Sequence, residues 1–393
     1  MLMRQLGYQP AADVELAETR AKAASGPRGP RPSGLIPAAV LGIDPLISYS
    51  GIITHAPLGL ASVAGERLSS LPAWFLISPT WTIESEESAT GIREAAILHR
   101  IGNPSHRLIF ICNTPEEVAM LQQKGEAAFF YNKTANVRES VFRPLAAVTT
   151  EFDAIYNAQL ISWKRHELSL DIESCAFLFY RDMQASEAAS DEAQIIAVHK
   201  TAAPGHHFIN TFDHKGTPVR LFPSEVNAQL NRAAVGLCLS AEEGAMFASM
   251  EYLLSGLPIV STPSLGGRHV YHDEEYCLTV PADAGAVAHA VDALKSRGIP
   301  RAYIHQRTVA RLEQDRRRFL ELLNTILEES GSAKRLAMPW PFSKTVTMQW
   351  HTLEEALRRA EHGVIDGYRH PRRPLLPRVM RRIRRLVYRP PAS

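Results

Sequence analysis

The chain has 393 residues, more than one ordinary hydrophobic core accommodates, which predicts two domains with additional tails. Apolar residues make up 45% and charged residues 21%, the range of soluble globular proteins. The net charge of +2 gives the folded body no special attraction to nucleic acid, so no nucleic-acid partner is expected.

The sequence also indicates a compartment. No window contains the roughly eighteen apolar residues of a membrane-spanning helix, and the N-terminus lacks the apolar core of a signal peptide. The four cysteines lie far apart in apolar surroundings and form no CxxC pair, which predicts buried, reduced thiols in the cytoplasm. Asp-x-Asp is absent, and no His, Asp and Glu cluster has metal-ligand spacing, so no metal or other cofactor is expected.

The first part of the chain combines a tail with an α/β pattern. Residues 1–44 are predicted to be disordered, because 21–33 is rich in Ala, Gly, Pro and Arg and has no apolar periodicity. In residues 45–147, apolar runs alternate with helical patterns, which is typical of a parallel sheet covered on both faces. A helix is predicted to begin at Thr114, with Pro115 in its first turn. The predicted strands are 46–49, 73–77, 108–112 and 127–131.

Residues 148–330 alternate more regularly and predict a doubly wound, Rossmann-like domain. The predicted strands are 153–157, 176–180, 207–209, 219–222, 235–239, 259–261 and 277–280. The predicted helices are 164–174, 192–201, 224–233, 247–255, 284–296 and 308–329. A helical extension over 331–366, with a helix near 353–361, and a basic tail over 367–393 complete the predicted organisation.

The basic tail carries nine arginines after Asp366 and no acidic residue. Within 377–389 the apolar side chains have the spacing of one helical stripe, and arginines cover the other face. The pattern indicates an amphipathic helix that could lie on an anionic membrane surface at the cytoplasmic side. Docking against the acidic body of the protein and binding to nucleic acid are the alternatives.

One stretch, 241–262, carries most of the functional signal. It has the pattern of a loop, a helix and a buried strand, with Glu243 and Gly244 in the loop and Glu251 on the second turn of the helix. Carboxylates accept hydrogen bonds from hydroxyl groups, and the free N–H groups of a helix N-terminus favour an anion. Gly244 is predicted to allow close approach of the backbone to a ligand. The alternative is that both glutamates are solvated helix residues.

Two further groups follow other strand ends, where open α/β sheets bind ligands. Lys164 and Arg165 stand where the next helix is predicted to start, which suggests a pyrophosphate site. Gly266 and Gly267 indicate a tight loop or an anion-binding nest, with Arg268 able to face a bound phosphate. The structural alternatives are a solvated Lys-Arg pair and an ordinary turn with exposed basic residues.

The stretch EEGAMFASMEYLLSGLPIVSTPSLGG resembles the donor-binding segment of retaining GT-B glycosyltransferases of the family-4 type, also called group 1. The matching residues are Glu243, Gly244, Glu251, Gly256, Pro258, Val260, Gly266 and Gly267. Ala245 and Met246 replace the usual Phe-Gly, and Tyr252 replaces an alanine. Lys164 falls on the family's phosphate lysine, and Gln159 falls on its arginine.

The resemblance implies a GT-B fold, in which two Rossmann-like domains face a cleft and the N-terminal, acceptor-side domain is reduced. It implies transfer of a sugar with retention from a nucleotide-sugar to a glycan, a lipid-linked acceptor or a small molecule. Glu243 would contact the sugar, Glu251 the ribose and Lys164 the phosphate, with Glu243 and Lys164 as the catalytic pair. The predicted donor-binding set is Gln159, Lys164, Arg165, Glu243, Gly244, Ala245, Met246, Phe247, Glu251, Gly266, Gly267 and Arg268.

Two alternatives to a glycosyltransferase remain. A sugar-nucleotide epimerase uses a similar pair of domains. A catalytically degenerate GT-B protein would act as a binding module, and the departures at Gln159 and Met246 favour considering it. No catalytic histidine is assigned.

Overall fold

The computed structural model describes residues 1–10, 36–43, 45–53, 56–69, 71–181, 188–342, 349–352, 354–355 and 358. Two six-stranded sheets organise this part of the chain, as the predicted pair of Rossmann-like domains requires. Within it, no helix is both long and apolar enough to cross a bilayer.

The first sheet has the strand order β12-β1-β2-β3-β4-β5. Strands β2 to β5 are parallel, whereas β1 pairs antiparallel with both β2 and β12. Its strands are β1 Ile36–Ile43, β2 Leu46–Ile52, β3 Ala73–Pro79, β4 His106–Cys112, β5 Ala128–Phe130 and β12 Gln349–His351. The helices of this region are α1 Leu2–Gln5, α2 Leu60–Leu68, α3 Glu86–Gly102 and α4 Pro115–Gln123, followed by a 3-10 turn at Lys133–Asn136.

The second sheet is entirely parallel and has the Rossmann order β8-β7-β6-β9-β10-β11. Its strands are β6 Phe152–Asn157, β7 Cys175–Leu178, β8 His206–Phe208, β9 Ala233–Cys238, β10 Ile259–Ser261 and β11 Cys277–Thr279. The helices are α5 Ala188–Ala202, α6 Pro223–Leu230, α7 Phe247–Leu254, α8 Ala284–Arg297 and α9 Arg301–Glu329. Short 3-10 turns occupy Ser162–Lys164, His166–Ser169 and Gly267–His269.

The start of helix α4 is determined by local side-chain chemistry that can be recognised in the sequence. The Thr114 hydroxyl accepts a hydrogen bond from the Glu117 N–H at 3.1 Å, and Pro115 occupies the first turn. Both features satisfy or remove N–H groups that would have no partner at a helix start. The predicted start of this helix is therefore confirmed.

The long helix α9 joins the two domains. Its Phe319 ring stacks on Tyr131 with centroids 4.3 Å apart and meets Tyr49 edge-on at 6.1 Å, so it packs against the first sheet. The Arg316 guanidinium donates to the carbonyls of Ala135 and Val137, each at 2.8 Å. One hydrophobic core consequently runs from the first sheet through α9 into the second domain.

Each domain contains a buried histidine pair at an equivalent helix-to-strand corner. His99 and His106 stack with centroids 5.1 Å apart, and His199 and His206 repeat this distance. In both pairs Nε2 of the strand histidine donates to a backbone carbonyl at 2.9 Å, which leaves its Nδ1 to accept from the helix histidine. This bonding pattern requires a neutral imidazole at the strand histidine of each pair.

Two predictions about the chain ends need correction. Residues 1–44 are not a single disordered tail, because Leu2 and Met3 of α1 are buried and β1 belongs to the first sheet. The strand was missed because its apolar residues point to both faces and give no alternation. Residues 11–35 lie outside the described residues.

The region 331–366 is also not simply helical, because β12 pairs with β1. Most of the predicted helix near 353–361 lies outside the described residues, as does the basic tail over 367–393 with its predicted amphipathic helix. Within the second domain, the predicted strand at 219–222 is irregular, and the predicted helix at 164–174 consists of two 3-10 turns. Helix α9 begins at Arg301, seven residues before its predicted start at Thr308.

Candidate active site

A cleft of about 870 Å³ lies between the domains, at the carboxyl ends of β6 and β9 where the strand order of the second sheet reverses. The first domain contributes Thr80, Trp81 and Lys133 to its walls. The predicted site residues that line it are Gln159, Lys164, Glu243, Gly244, Ala245, Met246, Phe247 and Glu251. The structure thus brings together predicted site residues that lie up to 92 residues apart in the sequence.

Lys164 and Glu243 form an ion pair in this cleft through Nζ and Oε1. Their side chains are only 13% and 9% exposed, so water screens the pair weakly. The Ser240 hydroxyl donates to the same carboxylate oxygen at 2.5 Å. The Glu243 N–H donates to the Leu265 carbonyl at 3.1 Å, which holds the loop in place. A carboxylate and an ammonium are therefore fixed side by side at the floor of the cleft.

Glu251 lies on α7 and faces the same space. The Asn157 side-chain N–H donates to Glu251 Oε2 at 2.9 Å. Burial raises the pKa of Glu251 to about 7, an effect that the hydrogen bond from Asn157 and the charge of Arg220 partly oppose. The carboxyl group is consequently poised to exchange its proton near neutral pH and can accept or donate a hydrogen bond to a hydroxyl group.

The N-terminus of α7 faces the cleft. Met246 precedes the helix without a side-chain cap, and the first turn contains no acidic residue. Met246, Phe247 and Ala248 all line the cleft. Uncapped N–H groups and the positive end of the helix dipole make this end of α7 suited to an anion.

Gly244 is required for a reason other than ligand approach. A methyl group at this position would lie 2.4 Å from the carbonyl oxygen of Thr80, in the loop after β3 of the first domain. The glycine therefore allows the two domains to touch. The predicted close approach of a ligand to the backbone at Gly244 stays a prediction.

Tyr252, which stands where the resembling family has alanine, packs over a second glycine. A methyl group on Gly236 of β9 would lie 2.5 Å from the Tyr252 ring. The Tyr252 hydroxyl accepts a hydrogen bond from the Asn157 N–H at 2.6 Å, at the end of β6. The larger side chain therefore fills the space above the sheet and supports the residue that holds Glu251.

The two predicted site arginines do not line the cleft. Arg165 has a left-handed backbone, with φ of 52°, and its guanidinium donates to the Leu239 carbonyl at 2.6 Å and to the Thr262 hydroxyl at 2.8 Å. Arg268 is 1% exposed and donates to the carbonyls of Ser240 and Thr262. Both arginines tie together the loops that follow β9 and β10, so their predicted contact with donor phosphate has no support in this geometry.

The Gly266-Gly267 loop packs against protein instead of forming an open nest. A methyl group on Gly266 would lie 1.8 Å from the Glu243 carbonyl oxygen. A methyl group on Gly267 would lie 2.5 Å from the side chain of Asn132 in the first domain. The Gly267 N–H donates to the Gly244 carbonyl at 2.6 Å. The loop therefore packs against the backbone of Glu243 and Gly244 and is hydrogen-bonded to it.

Sequence reasoning missed the first-domain side of the site. Lys133 lines the cleft and is only 7% exposed, although it follows a predicted strand end and could have been considered on that ground. Trp81 is 43% exposed, and its indole N–H donates to Glu242 across the domain boundary at 3.4 Å. No motif marks Trp81, because its position depends on how the domains meet.

The part of the chain that the structure describes contains no group of three or more His, Cys, Asp or Glu side chains arranged to hold a metal ion. The four cysteines are free and buried. The expectation that the reaction needs no metal or other cofactor stays a prediction.

Comparison with known proteins identifies the fold. No protein-family model matches the chain, and no curated protein sequence matches it. The structure is similar to sucrose-phosphate synthase from Thermosynechococcus elongatus, with a TM-score of 0.53, 15% identity, and coverage of 68% of this chain and 72% of that one. It is also similar to a glycosyltransferase from Rickettsia africae, with a TM-score of 0.50, 13% identity and coverage of 81% of each chain.

These likenesses define the class of architecture. The chain has the GT-B fold, with two Rossmann-like domains that face a cleft. At such low identity the likeness extends to the fold and not to the substrate.

Proposed function

We propose that the protein is a glycosyltransferase that moves a sugar from a nucleotide-sugar to a saccharide, lipid-linked or small-molecule acceptor with retention of configuration. The observation that carries the proposal is the Lys164–Glu243 pair, which lies in one cleft with Glu251 and the uncapped start of α7. Cation, carboxylates and helix N-terminus are the groups that a sugar attached to a nucleoside diphosphate requires.

Each group has a role in the proposed reaction. The Lys164 ammonium and the N–H groups at the start of α7 neutralise the charge that develops on the departing nucleoside diphosphate. Glu243 orients the transferred sugar, and Glu251 accepts hydrogen bonds from the ribose hydroxyls. Gln159, Ala245, Met246 and Phe247 form the walls around the donor.

The bond changes are balanced without a further reactant. The bond between the anomeric carbon and the phosphate oxygen breaks, and its electron pair stays on the diphosphate. The acceptor hydroxyl oxygen forms a bond to the same face of that carbon, and its proton passes to the departing phosphate. The walls of the cleft limit access of water to the anomeric carbon.

A binding and turnover panel tests the proposal. Calorimetric titration with UDP-, GDP- and ADP-sugars at up to about millimolar concentration should detect at least one donor. Incubation of that donor with candidate acceptors should release the nucleoside diphosphate and yield a product whose anomeric configuration NMR determines. Absence of binding to every nucleotide-sugar would contradict the donor site, and an inverted product would contradict retention.

Matched variants test the residue roles. Lys164→Met and Glu243→Gln should each lower kcat by about 10²–10³-fold, because each removes a fixed charge at the reacting centre. The controls Lys200→Met and Glu274→Gln make the same chemical changes on the exposed surface and should keep wild-type turnover. Turnover retained in both site variants would contradict the assignments.

A non-catalytic binding module is the second candidate. This candidate is favoured because the Glu243 carboxylate already accepts hydrogen bonds from Lys164 and Ser240 within the protein. Nucleotide binding without turnover across acceptors would support this alternative. A sugar-nucleotide epimerase would instead convert the donor in the absence of any acceptor. The proposed location, at the cytoplasmic face of a membrane, rests on the basic tail and stays a prediction.

A further inference from the structure

Trp81 is a large apolar side chain that the proposed roles do not use. It follows β3 of the first domain, lines the interdomain cleft and is 43% exposed. A tryptophan side chain can bury up to about 250 Å², so roughly 100 Å² of this one is open to solvent. Apolar surface on the wall of a cleft is favourable only when a ligand covers it.

Contacts on either side of the ring fix the position of Trp81. The hydroxyl of Thr80, the preceding residue, donates to the Ile52 carbonyl of β2. The indole N–H donates to the Glu242 carboxylate at 3.4 Å, so the polar edge of the ring is bound to the second domain. Within the part of the chain that the structure describes, no other aromatic ring or guanidinium group stacks on this indole. Its ring face is therefore available to a ligand.

Trp81 lies at the sugar end of the proposed donor site. A methyl group added to Gly244 would lie 3.4 Å from the Trp81 Cα, and Gly244 directly follows Glu243, which is proposed to orient the transferred sugar. Glu251, which is proposed to bind the ribose, is held instead by Asn157 at the end of β6. An acceptor hydroxyl must reach the anomeric carbon of the transferred sugar. A wall residue beside that sugar is therefore beside the acceptor as well.

The chemistry around the indole fits a sugar ring better than a hydrocarbon chain. Hydroxyl and carboxylate groups surround it, because Thr80 precedes it, Glu242 binds its edge and Glu243 lines the same cleft. A pyranose ring has faces of C–H bonds, which pack on the negative face of an indole, and an edge of hydroxyl groups, which donate to carboxylates. A hydrocarbon chain would cover the indole but would remove these polar groups from water without giving them partners.

We infer that Trp81 binds the acceptor by stacking on a pyranose ring, so that the hydroxyl group that receives the sugar belongs to a saccharide. The inference rests on the proposed glycosyltransferase function and narrows its acceptor to one chemical class. It also assigns acceptor specificity to a residue that belongs to no recognised motif. Because Trp81 contacts the acceptor and not the nucleotide, its loss should weaken acceptor binding and leave donor binding unchanged.

Tryptophan fluorescence tests the contact directly. The full chain, saturated with the nucleoside diphosphate found in the panel above, is titrated with the methyl glycosides of glucose, galactose, mannose and N-acetylglucosamine, and with cellobiose and maltose. At least one saccharide should change the emission of the wild type, whereas sorbitol, which has hydroxyl groups but no ring, should not. Trp81→Phe keeps the other tryptophans of the chain, and in this variant the change should be absent.

Steady-state kinetics separate acceptor binding from donor binding. With the donor and acceptor so found, Trp81→Ala should raise the acceptor KM by about 10–100-fold, because it removes the apolar surface that the sugar covers. The Kd of the nucleoside diphosphate should change less than about twofold. Trp81→Phe keeps an aromatic face and should restore most of the acceptor affinity. The control Leu98→Ala removes a 48% exposed apolar side chain from α3 and should behave as the wild type.

The possible outcomes separate the two proposals. A wild type that binds no nucleotide-sugar overturns the proposed function. A wild type that transfers sugar, with Trp81→Ala equal to it in acceptor KM, overturns only the inference. Transfer to non-saccharide acceptors alone, or an equal weakening of nucleotide binding in Trp81→Ala, also overturns it. If Trp81→Ala fails to fold by circular dichroism, Trp81→Phe decides, and a saccharide-induced emission change that persists in this variant overturns the inference.

Discussion

The replacement Gly244→Ala tests whether the glycine is needed for contact between the two domains or for close approach of a ligand. The new methyl group would lie 2.4 Å from the Thr80 carbonyl oxygen, about 1 Å closer than an ordinary van der Waals contact. The obstructing atom belongs to the backbone, so no side-chain rotation relieves the overlap and the loop after β3 must move. Overpacking of this kind destabilises proteins by about 1–3 kcal/mol. We expect Gly244→Ala to lower the free energy of unfolding by that amount, through the overlap at the boundary between the domains.

Differential scanning calorimetry measures the effect against a matched control. Gly91→Ala makes the same change in the exposed part of α3, where no atom of the part of the chain that the structure describes lies within 4 Å of the added methyl group. The control should gain about 0.5–1 kcal/mol because alanine favours a helix, whereas Gly244→Ala should lower Tm. A Gly244→Ala protein with wild-type Tm and no nucleotide binding would refute the reasoning, since the glycine would then serve the ligand.

Two further predictions concern stability. Tyr252→Phe removes the acceptor of a backbone N–H and should cost about 1–3 kcal/mol in urea unfolding. Tyr276→Phe removes a buried hydroxyl that has no hydrogen-bond partner among the described residues and should be nearly neutral, so equal losses in both would contradict this account. Burial and a neighbouring imidazole lower the pKa of His99 and His199 to about 4. Stability should therefore be complete above about pH 6.5 and decline towards pH 4, with proton uptake on unfolding, and a flat Tm over this range would contradict it.

The sequence predicted those features that depend on local chemistry. The strand–helix alternation of the second domain and the start of α4 at Thr114 follow from periodicity and capping, and both are present. Lys164, Glu243 and Glu251 meet in one cleft because they follow strand ends that a parallel sheet places along one edge.

The remaining features depend on contacts between distant segments. Arg165 and Arg268 are basic residues near strand ends, which is typical of a phosphate site. Their guanidinium groups instead donate hydrogen bonds to nearby backbone carbonyls. Trp81 meets Glu242 only because the two domains touch, which no local pattern encodes. Strand β12 is three residues long and is defined by its pairing with β1, which no local pattern encodes.

The pairing of β12 with β1 also governs how the molecule is assembled during synthesis. About 300 residues separate these two strands, and the entire second domain lies between them. At translation rates of about 5–20 residues per second, the edge of β1 stays without its neighbour for roughly 15–60 s. An unpaired sheet edge invites pairing with another chain. The nascent first domain is therefore exposed to aggregation on the ribosome until its last strand emerges, and chains terminated before residue 349 retain that open edge.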